Sequence, residues 1–152
     1  MHNPFIELLR GRTVILGVGN VLRGDDGLGP EVVKRLGRID GCLCIDAGQV
    51  PENYFGKIVG ENPDTVLIID AVQLFEEPGA YRLLDEEQIL QTGFSTHTIS
   101  PGVFMKQLAG EIGGRIVLLG VQPRSIDLGE GLSEQVERSV RELVSLIAEA
   151  CS

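Results

Sequence analysis

Three short, uninterrupted aliphatic runs set the limits on how this chain can fold: Thr13-Val-Ile-Leu-Gly-Val-Gly19, Thr65-Val-Leu-Ile-Ile69 and Arg115-Ile-Val-Leu-Leu-Gly-Val121. Runs of this kind read as strands of a parallel sheet buried on both faces. Cys42-Leu-Cys-Ile45 is a further short strand, and Ala80 to Leu84, after the turn residues Glu77-Pro-Gly79, suits an edge strand. Helical patterns lie between them. Pro30 and Glu31 suit a helix start, and Val32, Val33 and Leu36 give that helix an apolar face. Pro51 to Gly60 fits a short helix and Asp85 to Leu90 a helical turn, and Gln91 to Ser100 reads as a loop. Ser100-Pro101 opens a helix with Val103, Phe104, Leu108 and Ile112 on one face, stopped by Gly113-Gly114. From Leu132 to Ala150, the residues Leu132, Val136, Val140, Leu143, Val144, Ile147 and Ala148 recur at helical spacing. The expected architecture is α/β: a three-layer αβα sandwich around a mostly parallel, about five-stranded twisted sheet. No repeat or linker divides residues 1–152, so one domain is expected.

The composition narrows the class of function. The chain carries 13 Lys+Arg against 22 Asp+Glu, a formal charge of −9, with no basic run. Such a surface repels phosphate backbones, which excludes nucleic acid as the expected partner. No apolar stretch approaches the ~18 residues that a membrane span needs, and Met1 to Glu7 has no signal-peptide pattern. The three cysteines, Cys42, Cys44 and Cys151, are an odd and sparse set that argues for a reducing compartment. Cys42 and Cys44 share one strand face and read as small buried hydrophobes, and Cys151 carries no signal. A cytoplasmic protein is expected.

Ligands of open parallel sheets bind outside the carboxyl ends of the strands, and the unusual polar residues fall there. The first strand runs into Gly17-Val-Gly-Asn20 and a loop with Gly24-Asp-Asp-Gly27; Asp46 and Asp70 follow two other strands; His97 lies in the loop before Ser100. The second histidine, His2, falls in a tail expected to be mobile. Asp25 or Asp26, Asp46, Asp70 and His97 thus gather at one rim. Crowded carboxylates repel unless a cation joins them, and a divalent metal takes carboxylate and imidazole ligands. Two aspartates and one histidine leave coordination positions open, as a transient or catalytic site requires. An Asp at a strand end also caps helices and braces turns, and at this point both readings stand for Asp46 and Asp70. The Gly-rich loop is not a dinucleotide fingerprint: Leu22 stands where the last glycine of G-x-G-x-x-G belongs, and Asp25 and Asp26 would oppose a pyrophosphate.

Gly17-Val-Gly-Asn-Val-Leu-Arg-Gly-Asp-Asp-Gly-Leu-Gly29 resembles the opening signature of the nickel–iron hydrogenase maturation endopeptidases. Asp46-Ala-Gly48, Pro51-Glu-Asn53, Ile69-Asp-Ala71, Thr96-His97 and Leu119-Gly-Val-Gln-Pro123 extend the resemblance over nearly the whole chain, and it is closest to the formate-hydrogenlyase-type branch. The branch serving coenzyme-F420-reducing hydrogenases is similar too. The resemblance implies an endopeptidase, of a family catalogued as aspartic-type, that removes the C-terminal extension of a hydrogenase large-subunit precursor. It implies that Asp26, Asp70 and His97 bind a nickel ion supplied by the substrate, which other divalent ions can replace, and act in catalysis through it. Asp46, Gly48, Asn20 and Glu52 are the implied substrate-binding residues, with Ala47 replacing the glycine that the family has after Asp46. A monomer is expected. The alternative is a non-enzymatic, nickel-dependent factor that docks on the precursor, because no Ser–His–Asp or Cys–His nucleophile is evident.

Overall fold

The computed structural model describes residues 2–92 and 101–151. Five strands form one sheet: β1 (Thr13–Val18), β2 (Cys42–Gly48), β3 (Thr65–Ala71), β4 (Tyr81–Leu84) and β5 (Arg115–Val121). Their order is β2-β1-β3-β5-β4. The first four neighbours run parallel, and β4 pairs antiparallel with β5 at the edge. All residues of β1 and β3, the two central strands, are buried, as their continuous aliphatic runs require.

Side chains of successive strand residues point to opposite faces, and each face has its own helical cover. Ile15, Leu67, Ile69 and Leu119 pack against α1 (Phe5–Leu8), α2 (Leu28–Leu36) and α6 (Glu134–Cys151). Val14, Leu16, Ile68 and Leu118 pack against α3 (Phe55–Glu61), α4 (Glu86–Thr92) and α5 (Pro101–Ala109). The three-layer reading holds. The helix expected to begin near Pro30 begins at Leu28, and the Pro51 to Gly60 segment divides into a 3₁₀ turn at Pro51–Tyr54 and α3. No helix among the described residues is long and apolar enough to cross a membrane.

Two expectations are corrected. The N-terminal tail is docked: Phe5 is fully buried, and Asn3 donates from Nδ2 to the Leu146 carbonyl on α6 at 2.9 Å while its Oδ1 accepts the Phe5 N–H at 3.0 Å. His2 itself is exposed. The second correction concerns sulfur. Cys42, at the start of β2, is disulfide-bonded to Cys151, at the end of α6, with a Cα–Cα separation of 6.4 Å. Only Cys44 is a free thiol, and burial pushes its pKa up.

The bridge spans 109 residues of sequence and fastens the last helix to an edge strand. A cross-link that closes so long a loop removes much freedom from the unfolded chain and contributes about 2–4 kcal/mol. Both cysteines are partly exposed, so reductant can reach them. Thermal unfolding of the oxidised protein should show a higher Tm than the reduced protein or Cys151→Ser; equal Tm values would mean that the bridge carries no stability.

Candidate active site

The Gly-rich segment brings three backbones closer than any side chain allows. A Cβ on Gly17 would fall on the Gly29 carbonyl oxygen, and one on Gly29 would fall on the Ile69 carbonyl oxygen and lie 2.6 Å from that of Val18. Gly19, at φ 151°, would drive a Cβ into the Asp26 carbonyl oxygen. The glycines therefore press the start of α2 against the ends of β1 and β3. The 3₁₀ turn Gly24–Gly27 rests against β3 in consequence, which places Asp25 and Asp26 beside the strand that carries Asp70.

The two adjacent acids have different tasks. Asp25 is 1% exposed. Its Oδ2 accepts the N–H groups of Arg124 at 2.8 Å and Ser125 at 3.3 Å and the Ser133 hydroxyl at 2.8 Å, and its Oδ1 accepts the Ser133 N–H at 2.7 Å. It ties the turn to the connection between β5 and α6, which Gly24 N–H to Gly129 O at 2.7 Å and Gly129 N–H to Leu22 O at 2.8 Å reinforce. Asp26 is 4% exposed, and its Oδ2 accepts the Asn20 N–H at 2.9 Å. Asp25 is thus a brace, and Asp26 is the acid of the pair held nearer the β1 end.

Asp70, the penultimate residue of β3, is 1% exposed. It shares a narrow cavity of about 20 Å³ with Glu52, Val18, Ile68, Pro51 and Phe104, on the α3–α5 side of the sheet. Glu52 reaches it from the 3₁₀ turn after β2, and its Oε1 is buried without a hydrogen-bond partner among the described residues. A wider groove of about 930 Å³ continues from Glu52 along Phe55, Val103, Lys106 and Glu111.

Asp46 sits elsewhere. Ile45 and Ala47 belong to the α3–α5 core, so strand alternation turns Asp46 to the α2 side. There it is exposed, accepts the Gly48 N–H at 3.0 Å, and lines a separate cleft with Pro30, Lys34 and Arg35. Asp46 and Asp70 both lie at the carboxyl-end rim of the sheet, as expected, but face opposite sides of it. Gly48 is left-handed at φ 56° and its carbonyl accepts the Gly19 N–H at 2.8 Å, joining β2 to the Gly-rich loop. Asn20 braces the same loop, its Oδ1 accepting the Leu22 N–H at 2.9 Å.

His97 lies outside the described residues. Among the described residues no three His, Cys, Asp or Glu side chains form a metal-binding group, so the expected triad is described here through its two aspartates alone. Gln122 had no role assigned from sequence. It is 6% exposed, its Oε1 accepts the Leu74 N–H at 2.7 Å and its Nε2 donates to the Pro123 carbonyl at 3.1 Å, which fixes the loop after β3. Its place in the Gly-Val-Gln-Pro motif was the available signal.

Comparison with known proteins decides the family. Residues 30–150 match the model of the HycI hydrogenase maturation protease family. The chain belongs to this family. It is 30% identical over 130 residues to the hydrogenase 3 maturation protease of Escherichia coli K12, covering 84% of this chain and 83% of that one. The crystal structure of the [NiFe] hydrogenase maturation protease HycI from Thermococcus kodakarensis superposes with a TM-score of 0.86 at 35% identity, covering 95% of this chain and 96% of the other. The coenzyme F420 hydrogenase subunit delta of Methanothermobacter thermautotrophicus is 27% identical over 88% of this chain and 90% of its own length. This hydrogenase maturation protease is therefore a peptidase, which sets aside the non-enzymatic alternative.

Proposed function

We propose that this protease removes the C-terminal extension of a [NiFe] hydrogenase large-subunit precursor and recognises the precursor by the nickel it already carries. The observation that carries the reading is the pair Asp26 and Asp70: two buried carboxylates, on a turn and a strand in contact, at the carboxyl ends of β1 and β3. Hard oxygen donors suit a divalent ion, and the imidazole of His97 would complete the set. The ion arrives as part of the substrate, held there by thiolates, with positions open for the protease to fill.

Recognition then works by difference. A precursor without nickel offers these carboxylates no charge to bind, whereas a loaded one does. Asp46, on the far side of the rim, would contact the precursor outside the nickel site. The reaction would take place in the cytoplasm with the protease as a monomer. The test uses purified protein and nickel-loaded precursor alone, with the products weighed by mass spectrometry. A single cut that releases the C-terminal extension supports the proposal; an intact precursor at equimolar protease refutes it.

A further inference from the structure

The sequence suggests no Ser–His–Asp or Cys–His nucleophile, so the peptide bond is read as cut by an activated water, whose base is still to be assigned. We propose that Glu52 is the general base that activates the attacking water. This rests on the proposed function, since Glu52 would act on the precursor that Asp70 and its neighbours grip through nickel.

The cavity's size and chemistry carry the argument. Its volume of about 20 Å³ suits one water molecule, which needs roughly 10–15 Å³ of such space and polar partners around it. Its carboxylates, among the described residues, are Asp70 and Glu52. Val18, Pro51, Ile68, Pro101 and Phe104 supply apolar walls, and Gln49 is a further polar group at the lining. Glu52 Oε1 is shielded from solvent and accepts no hydrogen bond among the described residues. A buried carboxylate oxygen without a donor is costly, and a water molecule in the cavity would supply that donor. The Glu52 backbone is held in a 3₁₀ turn whose first residue is Pro51, so the carboxylate is presented from a stiff support. The groove from Glu52 along Phe55 and Val103 gives the substrate chain a route to the cavity mouth.

The step balances without another reagent. The water oxygen forms a bond to the scissile carbonyl carbon while one water proton passes to Glu52. The C–N bond then breaks, and protonated Glu52 returns that proton to the departing amine. One water is consumed, a carboxylic acid and an amine are released, and Glu52 ends as a carboxylate.

Steady-state cleavage of nickel-loaded precursor by wild type, Glu52→Gln and Glu52→Asp tests the assignment, with thermal unfolding run on each to confirm the fold. Glu52→Gln keeps the shape and loses the base. Its kcat should fall about 100-fold or more, with KM within about threefold of wild type, and native mass spectrometry should capture its uncut complex with the precursor. Glu52→Asp should be intermediate in kcat. If Glu52→Gln cuts within about threefold of the wild-type kcat, or if its loss lies in KM alone, Glu52 is not the base. A wild-type enzyme that leaves the loaded precursor intact would instead overturn the proposed function, and the base with it.

Discussion

Asp26→Ala, Asp70→Ala and His97→Ala should each abolish processing of nickel-loaded precursor while leaving a folded protein. Loss of a group that merely orients a metal ligand costs about 10–100-fold, so loss of a ligand should cost at least about 100-fold. Asp70 offers the cleanest case. It is buried at the end of a strand that is apolar elsewhere apart from Thr65. Asp70→Asn, which keeps the side chain's shape and removes its charge, separates loss of ion binding from loss of packing. Cleavage assays with a melting curve for each variant check the prediction; normal processing by all of them would end the nickel-site reading.

Asp25→Ala should give the opposite profile, a stability defect first. Four donors converge on this buried carboxylate, and alanine would strand several of them. Hydrogen bonds to a charged acceptor contribute about 1.5–3 kcal/mol each, and a buried group left unpaired costs about 1–3 kcal/mol. These terms do not add fully, so a net loss of about 3 kcal/mol is expected, which lowers Tm by roughly 6–12 °C in a chain of this size. Cleavage should fall as well, because the turn that carries Asp26 is held to the β5–α6 connection through Asp25. A Tm within about 2 °C of wild type would contradict the bracing role. The contrast between neighbours is the informative part: position 25 should cost stability and position 26 should cost activity.

The sheet and its two helical layers were legible because β1, β3 and β5 are continuous aliphatic runs that no exposed strand tolerates. Asp70 was legible as a candidate because it follows such a run at the carboxyl end of a strand, where ligands of parallel sheets bind. Without the family resemblance Asp25 and Asp26 were not separable, since two identical neighbours differ in the donors that the fold brings from residues 124–133. The divergence of Asp46 from Asp70 was hidden for a related reason. Each follows an aliphatic residue, and only the register between strands reveals that Ile45 and Ile69 face opposite layers. The N-terminal turn is four residues long, too short for any periodicity, and its burial comes from tertiary contact with the sheet and α6. The Cys42–Cys151 bridge links positions with no local pattern in common. The glycines of the signature were visible, but their purpose, letting the start of α2 touch β1 and β3, belongs to tertiary contact.

Incubating the purified protease with paired samples of one precursor, nickel-loaded and nickel-free, and following the C-terminal fragment by mass spectrometry tests the central claim most directly. Gripping a substrate-borne ion through Asp26, Asp70 and His97 predicts cleavage of the loaded sample alone. Equal cleavage of both samples would contradict it.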